Sequence, residues 1–207
     1  MAGVVGVTGH RPAALAGVDL DLLERRVDTV LDVLAELGHD HLLSGLAEGT
    51  DRLVARRALA SGWTLHAVLP FERLRYEADF DGSGSRAEFA ALLDRSARVS
   101  VARAGAESRA GAGPAADLGD AAPYAAQGRT LVAGSDMLVA VWDGLPARGP
   151  GGTADVVGWA RAAGAPVVWI HLRPPHRLAV LDAERGEATS TADLRRRLSA
   201  ALEREGG

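Results

Sequence analysis

Residues 44–62, "SGLAEGTDRLVARRALASG", pass from a loop of small residues into a run with helical character. An apolar stretch ends just before Ser44, and either Thr50 or Asp51 can cap the helix that ends at Gly62. Such a loop has two readings. It is a turn and nothing more, or it cradles an anion, because glycine lets backbone amides approach a ligand and a helix N-terminus adds free donors. What the neighbouring segments bring to the same edge decides between them.

Those neighbours repeat one pattern. "GVVGVTG" (3–9) reads as a buried strand, followed by a helix that Asp19 caps, with Leu20, Leu23, Val27, Val30, Leu31 and Leu34 at helical spacing and Gly38 as its stop. "HDHLLSG" is a second strand and "TLHAVLP" (64–70) a third, closed by proline. "AEFAALLDRSA" reads as a helix, "RVSVA" as a weak strand, and a further helix falls around 124–134. The strand "MLVAVWD" (137–143), a glycine-rich turn, a helix near 153–163 and the strand "PVVWIHL" (166–172) follow. Near-continuous apolar strands alternating with helices predict an α/β fold: a doubly wound, mostly parallel, Rossmann-like sheet with helices on both faces. Residues 1–175 form this domain, with a low-complexity Ala/Gly loop at 103–123. Residues 176–207 form a C-terminal extension ending in an amphipathic helix capped near Ser190, with Leu194, Leu198 and Leu202 along one face. That face packs on the domain or at a homodimer interface.

The totals narrow the class. A chain of 207 residues with 47% hydrophobic and 24% charged residues can bury a sizeable core. Having no cysteine, it has neither disulfides nor a thiolate metal site. The N-terminus lacks a basic region of signal-peptide type, and no apolar run approaches the roughly 20 residues that span a bilayer. A cytoplasmic protein with no membrane partner is expected. All 23 basic residues are arginine, and neither lysine nor asparagine occurs, which points to a GC-rich, bacterial genome. A net charge of −4 with 4% aromatic residues argues against a nucleic-acid partner.

Three strand-following loops are rich in small and polar residues: "TGHRP" (8–12), "SGLAEGTD" (44–51) and "WDGLPARGPGGT" (142–153). A parallel sheet puts them on one edge, where ligands sit near the point at which strand order reverses. Thr8, Gly9, His10 and Arg11 come from the first loop, and Ser44, Gly45, Glu48 and Thr50 from the second. The third gives Asp143, suited to a ribose hydroxyl, then Arg148, Gly151, Gly152 and Thr153. Threonines that open helices can bond phosphate, and the arginines add a matching fork of donors. One such turn is usually structural, but three on one edge predict a cleft. None has the G-x-G-x-x-G or P-loop pattern, so ordinary dinucleotide or ATP-hydrolysis chemistry is not indicated. His39 and His41 share a strand face but have no third ligand nearby, so no metal site is expected. Trp142, Trp159 and Trp169 are assigned to the core.

Taken together, these motifs resemble the SLOG superfamily of Rossmann-like nucleotide-binding domains. "SGLAEGTDRLVARRAL" and "GVTGHRP" are similar to segments of the DNA-processing protein DprA (Smf). "QGRTLVAGSDMLVAVWDGLPARGPGGTADVVGWARAAGAPVVWI" resembles both that family and the Lonely Guy (LOG) phosphoribohydrolases, which cleave nucleoside 5′-monophosphates. The resemblance implies phosphate against Gly151-Gly152-Thr153 and places Arg129 at the same pocket. It also implies a glutamate and an arginine for hydrolysis, but Val156 and Gln127 stand at those positions. Glu48 and Asp155 are the substitute carboxylates if hydrolysis is retained. The expectation is a nucleotide-binding sensor or regulatory module that requires no cofactor. Phosphoribohydrolase activity is the first alternative and DprA-like single-stranded DNA binding the second.

Overall fold

A computed structural model describes residues 2–103, 121–181, 186–188 and 190–205; most of the expected 103–123 loop lies outside the described residues. The chain alternates β1 (Gly3–Gly9), α1 (Leu20–Glu36), β2 (His39–Ser44), α2 (Thr50–Ala60) and β3 (Thr64–Leu69). It continues through α3 (Arg73–Glu77), α4 (Gly82–Asp94), β4 (Arg98–Val101), α5 (Ala122–Ala133), β5 (Met137–Trp142), α6 (Thr153–Ala162) and β6 (Val167–His171). Two short strands, β7 (Leu178–Leu181) and β8 (Gly186–Ala188), precede α7 (Thr191–Glu205).

All eight strands form one sheet in the order β4-β3-β2-β1-β5-β6-β7-β8. Pairing is parallel from β4 to β6 and antiparallel from β6 to β8. Strand order therefore reverses between β1 and β5. The apolar continuity of β5 follows from its position, because Met137–Val141 are buried on both faces of the sheet. Asp19 caps α1 by accepting from the Leu22 amide at 2.9 Å, and Leu23, Val27, Val30, Leu31 and Leu34 form its buried face. Leu20, counted with them at helical spacing, is instead exposed. In the C-terminal part, β7 and β8 extend the sheet beyond the strands legible in the sequence. Leu194, Leu198 and Ala201 of α7 enter the main core, and Arg195 pairs with Glu36 of α1.

Residues 44–52 fold as a bracket around the β1 loop. Gly49, not Thr50 or Asp51, is the N-cap of α2. The His10 carbonyl accepts from both the Thr50 amide (3.0 Å) and the Thr50 hydroxyl (3.1 Å). Gly49 has φ +97, and a Cβ there would lie 2.4 Å from the same carbonyl oxygen. Ser44 turns back to accept from the Leu46 amide at 3.1 Å. Arg52 is buried and gives hydrogen bonds to the Leu46 carbonyl and to Ser85, while its guanidinium lies 4.2 Å from the Phe80 ring centre. Asp51 is also buried, with the Ala47 and Gly9 amides directed at its carboxyl. Burial outweighs those amides and the nearby Arg11 and Arg52, pushing the Asp51 carboxyl up to about 7.

Two outcomes follow for stability. Gly49→Ala combines a glycine-only backbone with a clash at His10, and should destabilise the fold by about 2–4 kcal/mol in denaturant titration. Asp51 holds a proton in the folded state that the unfolded chain releases near pH 4, so its contribution to stability falls as pH rises from there to about 7. The full penalty, on the order of 4 kcal/mol, is in place above neutrality. Asp51→Asn should therefore raise the melting temperature relative to the parent more at pH 8 than at pH 5. An equal difference at both values would contradict this.

Candidate functional site

At the reversal between β1 and β5 the two loops that follow these strands part, leaving a cavity of about 450 Å³. Its walls come from residues 8–14, from the 142–154 loop with the start of α6, and from one side of α5. Asp51 of α2 and Tyr76 of α3 also line it. This is the location at which a doubly wound sheet ordinarily takes its ligand.

His10 fixes the relation of the three loops. While its carbonyl is held by Thr50, its imidazole Nε2 lies 2.9 Å from Asp143 Oδ1 and 3.2 Å from the Asp143 backbone amide. Burial alone would raise the Asp143 carboxyl. The Leu145 amide, donating at 3.0 Å, and the His10 ring outweigh burial and hold it below the ordinary carboxylate range. Asp143 is thus ionised and already engaged, and it does not line the cavity.

The outer end of the cavity is rich in donors. Arg11 and Arg148 are exposed at its rim, and Arg11 lies 5.7 Å from the centre of the Tyr124 ring. Gly152 is the N-cap of α6, so the amides of Thr153 and Ala154 in the first turn have no intrahelical acceptor. Gly151, at φ +77, runs close along the backbone of Tyr124, where a Cβ would come within 2.7 Å. Its amide is not free: Asp155 reaches back and accepts from it at 3.0 Å.

The inner end is different in kind. Tyr76 is fully buried, and its hydroxyl has no hydrogen-bond partner among the described residues. Burial, with the Asp51 carboxyl nearby, pushes the phenol above its ordinary value, so it stays neutral. The neighbouring Gln127 turns its amide to the carbonyls of Val68 (2.7 Å) and Gly45 (3.4 Å). Asp51 is the one carboxylate among the described lining residues.

Of the residues singled out in the sequence, Thr8, Gly9, His10, Arg11, Arg148, Gly151, Gly152 and Thr153 meet at this cavity. Ser44, Gly45 and Thr50 stand behind it and hold the loops. Arg129 does not face it, since its guanidinium stacks 4.4 Å from the Trp159 ring on the side of α5 toward α6. Neither substitute carboxylate lines it either. Glu48 accepts from the Ser85 hydroxyl beside the start of α4, and Asp155 serves the Gly151 turn. Val156 and Gln127 do line it, so the two departures from the hydrolase pattern fall inside the cleft. Sequence reading missed Tyr76 and Asp51 as lining residues and placed Trp142 in the core, whereas its half-buried ring also borders the cavity. Only Asp51 had a signal, as the aspartate of the S-G-x-A-x-G-x-D pattern. Among the described residues no cluster of three metal-ligating side chains occurs, and no helix is long and apolar enough to cross a membrane.

No family model and no curated protein matches the sequence. Solved structures do. DNA processing protein A from Helicobacter pylori, which binds single-stranded DNA, aligns with a TM-score of 0.54 at 14% identity over 95% of this chain and 80% of its own. The molybdenum cofactor carrier protein of Chlamydomonas reinhardtii aligns with a TM-score of 0.53 at 22% identity, covering 98% of this chain and 99% of that one. DNA processing protein A from Streptococcus pneumoniae gives 0.50 at 17% identity over 81% of this chain, which spans 50% of that longer protein. The chain therefore has the α/β, Rossmann-like fold of these structures.

Proposed function

We propose that the cleft binds a nucleotide or nucleotide-derived small molecule, and that the protein senses or carries this ligand instead of hydrolysing it. The observation that carries this reading is the make-up of one cavity. Its rim presents two arginines and the first turn of α6, while Val156 and Gln127 occupy the positions where the phosphoribohydrolase pattern implies glutamate and arginine. A valine side chain can neither move a proton nor stabilise developing positive charge. Phosphate placed at the rim would meet the Thr153 and Ala154 amides, the Thr153 hydroxyl and the arginine forks. A volume near 450 Å³ suits a ligand of nucleoside-monophosphate size.

A small-cofactor carrier is the second reading. It is favoured by the end-to-end correspondence with the molybdenum cofactor carrier protein, whose length this chain matches almost completely.

The test is a thermal-shift panel of AMP, GMP, ADP-ribose, NAD and cyclic nucleotides, each also assayed for released base. A rise in melting temperature without free base is expected, because a ligand that binds only the native state stabilises it by mass action. Free base from AMP would restore the hydrolase alternative. Molybdenum in the purified protein, measured by mass spectrometry, would favour the carrier. Salt-sensitive retention of a single-stranded oligonucleotide would point to the ligand of the Helicobacter pylori neighbour. For the ligand found, Arg148→Ala and Thr153→Val should each weaken binding about 10-fold or more without lowering the melting temperature of the free protein. Unchanged affinity in both would remove the phosphate from this rim.

A further inference from the structure

We propose that the inner end of the cleft is a base-reading subsite, in which the Tyr76 hydroxyl and the Asp51 side chain hydrogen-bond the edge of a heterocyclic base. The proposal rests on the nucleotide reading above and adds what that reading leaves open, namely how one base is told from another.

Packing does not explain the Tyr76 hydroxyl. The ring lies edge-on to Phe80 (4.8 Å between centres), Phe89 (5.5 Å) and Tyr124 (6.5 Å), and a phenylalanine would fill the same place. The hydroxyl is nonetheless present and fully buried, borders the cavity and has no well-formed hydrogen bond among the described residues, since Gln127 beside it turns its amide to the Val68 and Gly45 carbonyls. Buried polar groups are nearly always hydrogen-bonded, so an unpaired one facing a cavity points to a partner that arrives with the ligand.

Asp51 borders the same cavity and is 7% exposed. The charged groups that face it are Arg11 from the β1 loop and Arg52 from its own helix, and the Ala47 and Gly9 amides are directed at its oxygens. Even so, burial keeps it protonated toward neutrality, which leaves an acid O–H to donate. A donor from Asp51 beside a phenol oxygen that can accept matches a base edge with an acceptor next to an N–H. The N1 and 6-amino edge of adenine has that arrangement, as does the 6-oxo and N1–H edge of guanine or hypoxanthine. Cytosine (N3 and 4-amino) and uracil (4-oxo and N3–H) carry the same pair, so the chemical class is a nucleotide whose base presents an acceptor beside an N–H, its phosphate toward α6 and its base toward α3. A site built to hydrogen-bond a group discriminates strongly against analogues that lack it.

Calorimetric titration of the full chain with AMP, GMP, CMP, UMP and ribose 5-phosphate tests this, using the parent, Tyr76→Phe and Asp51→Asn. At least one of the four nucleotides should bind the parent about 10-fold or more tighter than ribose 5-phosphate. In Tyr76→Phe that preference should fall about 10-fold, with ribose 5-phosphate affinity unchanged and the melting temperature raised by removal of the unpaired hydroxyl. Asp51→Asn keeps a neutral donor there, its amide N–H replacing the acid O–H, so it should hold the preference at pH 8, where that of the parent weakens. A parent that binds nucleotides no better than ribose 5-phosphate overturns the subsite but leaves the phosphate rim standing. A preference that survives unchanged in Tyr76→Phe, or that is lost in Asp51→Asn, overturns the subsite in the same way. A parent that binds none of the five overturns the subsite, and the nucleotide reading falls with it if ADP-ribose, NAD and cyclic nucleotides also leave the melting temperature unchanged.

Discussion

The cleft exists because one residue is held from two sides. His10 gives its carbonyl to Thr50 at the head of α2 and its ring to Asp143 at the end of β5, so the loops after β1, β2 and β5 have little freedom relative to one another. Neither contact involves a group that a ligand would need. The two bonds from Thr50 to His10, the close approach at Gly49 and the inward-turned Ser44 make the second loop a support for the first. The choice between turn and cradle therefore has a third answer: the small residues of 44–50 let one loop brace another, and the braced loop supplies the cavity wall. Preorganisation of this kind lowers the entropy lost when a ligand orders a mobile loop.

The cavity that results is polarised along its length. Cationic side chains and open helix amides stand at the solvent end, where counterions and water screen them and an arriving anion meets them first. The inner end holds neutral groups, Tyr76 and, below neutral pH, Asp51. Burial costs the Asp51 carboxylate more than the Ala47 and Gly9 amides and the nearby Arg11 and Arg52 return, which is why its proton affinity rises despite those neighbours. Charge at the mouth with neutral hydrogen-bonding groups inside suits a ligand that is itself anionic at one end and polar but uncharged at the other.

How much of this was legible in the sequence depended on whether the signal was local. The parallel strands were legible because strands buried on both faces must be continuously apolar, as in residues 137–141. The loops were legible because glycine, threonine and arginine after a strand have few other uses. β7 and β8 were not, because four and three residues are too short to show a period and they follow a turn rich in proline. Tyr76 lies in a five-residue helix inside "FERLRYEADF", and nothing in that stretch marks which side chain reaches 50 residues on to α5. Arg129 was placed in the cleft by the resemblance of its motif, but helical phase decided otherwise. Gln127 and Gly128 face the cavity, and Arg129 is turned by a further 100° or so toward Trp159.

The two departures inside the cleft are built into its packing. Gln127 ties α5 to the ends of β2 and β3 through the Gly45 and Val68 carbonyls, and a Cβ at Gly45 would lie 2.7 Å from its amide nitrogen. Val156 sits over Gly128, where any side chain would come within 2.8 Å of its methyl group and 2.9 Å of the Trp159 ring. An arginine at 127 would lose the two carbonyl contacts in that geometry and bury a charge. A glutamate at 156 would put a second carboxyl into a space that already holds Asp51 close to neutrality. Each hydrolytic residue would therefore need compensating changes on α5, α6 and the β2 loop together. The two positions that the resemblance reserves for hydrolytic residues are here committed to holding the walls of a pocket.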